Sequence, residues 1–555
     1  MIEQIRLLHM YRQESKDENE GLKLLGYTFI SAISNTLLLV IINTAAHNVE
    51  YKVLNIQYFI MFAACMAAFI VTQRHVLKQA VIISENIINR IRIRIGDKVR
   101  KCNFYELEKL GHTEIYSKLT KDAVVVTQSA PLIISATQCI IMVVLSMIYV
   151  AFLSKIAFVI ALGVIILSIL YYLKNDKIVS KNMRKAMERE VDLFGTLSHI
   201  LDGFKEIKMN KKKSDEVIED LRLDSDDVKN LKIKGLVPYA DNYIFSIAFF
   251  FALIAIIIFV LPNLSTSFND VVVKLTTAII FIVGPISNVV NIFTVLAQSN
   301  IAIDNIYGLE KALDEHKDII NDNKQIVIPD AKDYNLINID DMYFEYTDKE
   351  GNPVFSVGPI NLKIKRNEII YVVGGNGSGK TTFLKLLTAL YYPKYGSISL
   401  DKVSLSKENI QSYRELYSII LSEFHLFNKL YGLSQIDEKH VFELLKLMEI
   451  ENKTGYVDGR FTNLDLSTGQ RKRLALVVTY LEDKEIYVFD EWAADQDPYF
   501  RKYFYEELIP DLKKRGKTVI AVTHDDRYYD SCDRVLKMDF GKMTTYLDNN
   551  NEKIL

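Results

Sequence analysis

The stretch Ile369-Ile370-Tyr371-Val372-Val373-Gly374-Gly375-Asn376-Gly377-Ser378-Gly379-Lys380-Thr381-Thr382 decides how the back half of the chain is read. Its five leading apolar residues predict a buried strand. The eight residues Gly374 to Thr381 fit the pattern G-x-x-x-x-G-K-[ST]. A helix is expected after it, from Thr381 to Leu390. Glycines let successive backbone amides turn inward around phosphate oxygens, and a helix start adds its positive end. In that pattern Lys380 reaches the terminal phosphates, and Thr381, with Thr382 beside it, opens the helix where it can ligate Mg²⁺. A glycine-rich β–α turn can also exist without a ligand. The strand before it and the helix after it favour the phosphate-binding reading.

Working outward, Ile486-Tyr487-Val488-Phe489-Asp490-Glu491 supplies the chemical partner. A buried strand would deliver Asp490 to its C-terminal end, where a carboxylate can hold Mg²⁺. Glu491, one residue on, can polarise an attacking water as general base. Between the two motifs lies Leu466-Ser467-Thr468-Gly469-Gln470, ahead of a basic, leucine-rich helix. Ser467 and the amides around Gly469 can form an anion-binding helix start. Read alone, the same residues are an ordinary helix cap. His524 follows another apolar strand, Val519 to Val522. A histidine there is ordinarily structural.

The front half has another character. Six segments lack Asp, Glu, Lys and Arg: Leu24–Ala45, Leu54–Val71, Leu132–Leu153, Ile156–Leu173, Tyr243–Leu261 and Leu275–Ala297. About 20 apolar residues cross roughly 30 Å of hydrocarbon, so each is long enough to span a membrane. A soluble bundle would show a charged face every three or four residues. Ser154-Lys155 marks the turn between the third and fourth segments. Acidic residues (Asp17, Glu18, Glu20) precede the first segment, so we expect it to be retained as a helix rather than cleaved. Eleven basic residues lie between Arg74 and Lys121 and fifteen between Lys174 and Lys234. Basic loops stay inside. Both loops, the N-terminus and the back half are therefore expected to be cytoplasmic. Asn288, Asn291, Thr294 and Gln298 form a polar stripe on the sixth segment, after Pro285. It reads either as helix–helix hydrogen bonding or as a neutral wall of a translocation cavity. No intramembrane charge points to a proton- or ion-coupled carrier.

Composition agrees. At 555 residues the chain is too long for one ordinary domain. Its 67 basic and 69 acidic residues nearly cancel, which argues against a nucleic-acid binder. Four scattered cysteines exclude a zinc ribbon or a disulfide-dense scaffold. We expect a membrane domain over 1–318, a linker over 319–332 and a nucleotide-binding domain over 333–555.

With the motifs set in this order, the chain resembles an ATP-binding cassette transporter over its whole length. The resemblance implies an exporter-type half-transporter. Its fold would be a multi-pass α-helical membrane domain of six transmembrane helices, fused to an α/β P-loop domain with a short helical lobe. It implies ATP and Mg²⁺ as cofactors. It also implies a homodimer, in which Ser467, Gly469 and Gln470 of one copy complete the site of the other. Tyr346 resembles the aromatic that stacks on adenine, although it also fits an ordinary strand tyrosine. His524 resembles the histidine that touches the γ-phosphate, and Asp497 the aspartate that crosses the dimer interface. Three stretches look like the branch exporting cyclic peptides and peptide siderophore precursors: Asp490–Pro498, Gly203–Asn210 and Glu106–Gly111. The last two lie where exporters carry short helices that dock on the cassettes. There are departures. Ser422 stands where the switch loop ordinarily has glutamine, Thr468 replaces a glycine, and the stretch from Ser422 to Leu466 is short.

The expected function is ATP-driven export of a peptide-like compound across the bacterial cytoplasmic membrane, with lipid as surroundings and no nucleic acid. Two alternatives stay open: import of a siderophore-like compound by the same fold, and a cassette-gated regulator without vectorial transport.

Overall fold

The computed structural model describes residues 18–49, 56–111, 115–116, 118–260, 269–318, 327–328, 331–348, 350–433 and 436–547. Most of the expected linker lies outside them. The chain divides into two compact units, Met1–Val99 with Leu110–Glu315, and Arg100–Lys109 with His316–Leu555.

The first unit is built of long helices: α1 (Glu18–Val49), α2 (Ile56–Arg100), α4 (Ala123–Leu153), α5 (Lys155–Asp202), α7 (Lys211–Ala255) and α8 (Asn269–Glu315). Two short helices, α3 (Phe104–Leu110) and α6 (Phe204–Met209), stand between them. Five of the long helices contain a window apolar and long enough to cross a membrane. The remaining expected span is the apolar stretch Lys155–Tyr171, which opens α5. Ser154 divides α4 from α5 as expected: its hydroxyl accepts from the Ala157 amide at 3.3 Å and caps the new helix. The helix α8 continues through Pro285. From α1, α4, α5, α7 and α8 come Leu39, Val150, Ala161, Leu253 and Ile279, which meet in one buried cluster. Much of the bulky apolar surface faces outward instead, with Phe152 86% and Phe59 72% exposed. Buried polar side chains join the helices. Ser31 donates to Gln73 Oε1 at 2.9 Å, and Gln138 donates to Ser31 Oγ at 3.2 Å, which links α1, α2 and α4. Beyond the apolar windows charges take over. Lys121 and Lys232 both reach Glu190, each at 2.6 Å.

The second unit holds two sheets. A six-stranded sheet has the order β12-β11-β3-β10-β9-β6. Its members are β3 (Ile369–Gly374), β6 (Tyr417–Ile420), β9 (Ile486–Asp490), β10 (Thr518–Val522), β11 (Arg534–Asp539) and the antiparallel edge β12 (Lys542–Leu547). A four-stranded antiparallel sheet joins β1 (Leu336–Thr347), β2 (Pro353–Lys365), β4 (Tyr395–Leu400) and β5 (Val403–Ser404). A two-residue ribbon, β7 (Tyr456–Val457) with β8 (Arg460–Phe461), stands apart.

Alternation along the central strands feeds two cores. Ile370, Val372 and Val488 turn to one face, against Phe383 and Leu384 of α9 (Lys380–Leu387). Tyr371, Val373 and Phe489 turn to the other. There they meet Leu445 of α10 (Glu438–Leu447), Leu474 of α11 (Thr468–Glu482) and Phe500 of α12 (Pro498–Tyr503). With both faces covered, β9 and β10 are buried throughout, which is why they read as unbroken apolar runs.

The helix α9 ends at Leu387, three residues short of the expected Leu390. Ala389 takes a left-handed φ of 56°, and the Tyr391 amide donates back to Lys385 O at 2.9 Å. This backbone closure ends the helix inside a still-apolar run, so hydrophobic pattern could not mark it. Nearly all of the short helix α3 falls within the second unit. Tyr105 packs on Phe344, Tyr346 and Tyr391, and Glu108 accepts from Lys385 of α9 at 2.8 Å.

Candidate nucleotide-hydrolysis site

Parallel register brings the functional ends together. Val522 of β10 lies beside Asp490 of β9 and beside Val372 of β3. The loops leaving all three strands therefore open on one edge of the sheet, where doubly wound folds bind ligands.

The first loop is Gly374–Gly379. Gly374 has φ 152°, and a Cβ there would stand 2.2 Å from Met538 O. Only glycine fits that close approach. Gly377 and Gly379 also have positive φ, at 75° and 103°. Asn376 and Gly377 are exposed at the tip, while Ser378, Lys380 and Thr382 are buried. Lys380 Nζ donates to Gly374 O and Gly375 O at 3.0 Å each, so its ammonium is folded across the mouth of the loop.

Thr381 Oγ1 donates to Asp490 Oδ2 at 2.8 Å. The other carboxylate oxygen, Asp490 Oδ1, is buried and has no hydrogen-bond partner among the described residues. Ser378 Oγ is in the same condition. Buried polar atoms are almost always satisfied. An orphaned carboxylate oxygen beside a threonine hydroxyl fits a hard cation with oxygen ligands, and an orphaned hydroxyl in a glycine loop fits a phosphate. Thr381 and Asp490 could thus hold Mg²⁺. The Ser422 contribution is its backbone amide, 3.4 Å from Asp490 Oδ2, while its side chain is exposed.

Glu491 sits just beyond β9 with φ 50°. Its Oε1 lies 3.1 Å from His524 Nε2 and 3.7 Å from Lys380 Nζ. Two groups that sequence alone could only suspect of sharing a site with Glu491 therefore converge on its carboxylate. His524 is not merely a strand-end histidine. The arrangement sets a carboxylate, which can act as a base, beside an imidazole and an ammonium.

Tyr346 is half-buried, and its hydroxyl is 3.1 Å from Thr382 Oγ1, beside the glycine loop. Its ring also belongs to an aromatic cluster with Phe344, Phe355 and Tyr391. Both readings of this residue therefore have a structural counterpart. Ser467 and Gln470 make a reciprocal capping box at the start of α11. Thr468 is exposed, which explains why a side chain is tolerated there, whereas a Cβ on Gly469 would lie 2.7 Å from Asp495 O. Asp497 caps α12 through the Phe500 amide at 3.0 Å and meets Arg473 at 2.6 Å. The Phe500 amide, with help from Arg473, holds its carboxyl below the usual range.

In the membrane unit, the exposed Asn288 reaches Cys139 Sγ at 3.8 Å, and Gln298 is half-buried. The side chains of Asn291 and Thr294 lie outside the described residues.

Sequence reasoning missed Lys472 and Gln496. Both are buried, and both tie α11 to the loop after β9. The unusual run Trp492-Ala493-Ala494-Asp495-Gln496 was the available signal, but nothing in it named a partner.

The ABC transporter family profile matches residues 357–494. The ATP-binding protein SyrD of Pseudomonas syringae pv. syringae is 30% identical over 529 residues, 92% of this chain and 91% of its own length. A probable ABC transporter ATP-binding/permease protein of Haemophilus influenzae is 25% identical over 64% of this chain and 62% of its own. The fold matches the structure of a bacterial Atm1-family ABC exporter with ATP bound, at TM-score 0.76, 14% identity and 95% coverage of both chains.

Proposed function

We propose that this chain, which belongs to the ABC transporter family, works as a homodimer that exports a peptide-like compound across a bacterial cytoplasmic membrane. It is an ATPase coupled to transport, with the exporter fold. The dimer, the cargo class and the individual residue roles are our reading. The observation that carries it is the convergence of His524 and Lys380 on Glu491.

In this reading Gly374–Gly379 cradles the phosphates of ATP, and Tyr346 faces the adenine. Lys380 releases the two loop carbonyls and turns to the terminal phosphates. Thr381 and Asp490 would hold Mg²⁺, which would neutralise charge on the phosphoryl oxygens. Glu491 accepts a proton from the attacking water through Oε1, and His524 orients that oxygen. The start of α11 in the second copy, at Ser467 and Gly469, closes the site. Catalysis of this kind rests on positioning and electrostatics, so angstrom-scale placement of these groups governs the rate. In this reading the polar stripe of the sixth segment lines a neutral path, in keeping with a cargo of low net charge. The cargo class is supported by the resemblance of Asp490–Pro498, Gly203–Asn210 and Glu106–Gly111 to the cyclic-peptide and siderophore-precursor branch.

The test compares the parent with Glu491→Gln in nanodiscs and in the source cell. We expect ATP binding to persist and turnover to fall about 100- to 1,000-fold. A peptide-like species should then leave the medium and accumulate inside the cell. Parental turnover would remove Glu491 from its role. A species depleted inside and left outside would reverse the direction of transport.

A further inference from the structure

The chemistry just described depends on how Glu491 is held, and the backbone there is costly. A non-glycine residue at φ 50° is in the left-handed region, which costs on the order of 1–3 kcal/mol and persists only where its surroundings enforce it. The Glu491 amide donates to Val522 O at 3.2 Å and its carbonyl accepts from the Ala494 amide at 3.3 Å; the side-chain contacts on this loop come from α11. Lys472 is buried, and its Nζ donates to the main-chain O of Glu491 at 2.7 Å. The same ammonium pairs with Asp495 Oδ2 at 2.7 Å. The Lys472 carbonyl in turn accepts from Trp492 Nε1 at 2.9 Å. One residue of α11 thus grips the loop at three successive places: the Glu491 carbonyl, the Trp492 indole and the Asp495 carboxylate. Gln496 closes the far end, donating to Gly469 O at 3.1 Å and accepting from Arg473 Nε at 2.9 Å.

We propose that Lys472, set in place by Asp495, is a positioning residue for hydrolysis. It holds the Glu491 backbone in the left-handed conformation that aims the carboxylate at His524 and Lys380. The proposal rests on Glu491 being the base. Removing one member of a fully buried ion pair is costly because the other charge is left uncompensated; Asp495, the partner here, is 46% exposed, so water can solvate it once the ammonium is gone. The ammonium is aimed at a main-chain oxygen of the very residue whose side chain meets the phosphate lysine. Its service is geometric, so its removal should be felt in the chemical step and not in nucleotide binding.

The experiment uses the full chain in nanodiscs. Lys472→Met keeps the length of the side chain and removes the charge. Folding is followed by the emission of Trp492, the single tryptophan of the chain. We expect an unfolding midpoint equal to or above the parent's, a KM for ATP within about two-fold, and a kcat lowered roughly 10- to 100-fold, the cost of about an ångström of misplacement. Asp495→Asn, at a half-exposed position, should fold regardless and lower kcat about 3- to 10-fold, because it loosens the ammonium without removing it. In the Glu491→Gln background, Lys472→Met should leave the residual turnover unchanged. Parental kcat in both single variants, or a full further loss in the Glu491→Gln background, overturns the proposal while leaving the base in place. Parental turnover of Glu491→Gln sinks the reading of the base itself, and the two failures are therefore distinct.

Discussion

The two units of this chain differ in where their largest apolar side chains go. In the cassette the largest buried side chains are aromatic: Trp492, Tyr371, Phe489 and Phe504 are all nearly inaccessible. In the membrane unit Ser31, Ser146 and Gln138 are buried, and Phe59 and Phe152 point outward. The sequences of both are apolar, yet the apolar groups serve different ends. In water they drive the fold by leaving the solvent. In a bilayer lipid tails satisfy them, and helices are joined by small and polar side chains instead. The difference teaches that a run such as Ile486–Phe489 and a run such as Ile156–Ile160 cannot be interpreted by hydropathy alone. The length of the run and the punctuation around it separate them.

The same contrast can be broken or sharpened by substitution, and glycine gives the largest effect. Gly374→Ala should abolish ATP binding, because its Cβ would stand 2.2 Å from Met538 O. Gly284→Ala, within α8, should bind ATP like the parent, since nothing among the described residues outside the helix's own backbone lies within 4 Å of the added carbon. Nucleotide-binding assays on both variants check the pair, and binding by Gly374→Ala would contradict the packing of β3 against β11.

A smaller effect is expected from truncating an aromatic in each unit. Phe504 stacks on Trp492 at a centroid distance of 4.3 Å. Phe504→Ala should cost about 3–5 kcal/mol and lower the Trp492 unfolding midpoint by about 10 °C. Phe152→Ala removes a side chain that packs on little of the protein and should move that midpoint by less than about 1 °C. Equal shifts would mean that Phe152 has a protein partner rather than a lipid one.

Smaller again is the polar link between α1, α2 and α4. Gln138→Leu removes the donor to Ser31 and should cost about 1 kcal/mol, read as a modest fall in the heat stability of the detergent-solubilised chain. A gain in stability would show that Gln138 is kept for transport and not for packing.

The smallest effect is a pH dependence confined to the charged extensions. Burial raises the Glu190 carboxyl, but hydrogen bonds from Lys121 and Lys232 outweigh it and leave the group below its ordinary value. A depressed acid stabilises above the ordinary glutamate range and loses that contribution as pH falls through the folded value. Hydrogen-exchange protection around Glu190, corrected for the intrinsic rate, should therefore fall below about pH 4.3, the ordinary glutamate value. Glu190→Gln should already exchange fast at neutral pH. No change in either would show the pair of lysines to be solvated and weak.

The main elements of the cassette were legible because its motifs are local. The strand before Gly374 and the strand ending at Asp490 were both placed within a residue, since a buried parallel strand is a short apolar run. The end of α9 was not, because Ala389 and Tyr391 end it by backbone hydrogen bonds that apolar side chains do not announce. Thr381 could be paired with Asp490 because their motifs are each tied to one strand end. Lys472 could not be paired with Glu491, since that contact depends on the pitch at which α11 crosses the loop.

By itself the sequence determined which segments are apolar enough for lipid, which loop has the glycine spacing of a phosphate cradle, and the order of strand, helix and acidic pair. These follow from run length, glycine spacing and residue chemistry, all of which are properties of neighbours along the chain. Only the tertiary structure decided that His524, Lys380 and Glu491 meet at one oxygen. It alone decided too that the Glu491 backbone is held by a lysine 19 residues away. Contacts of that kind arise from the register of parallel strands and the seating of one helix, and no local stretch of sequence carries either.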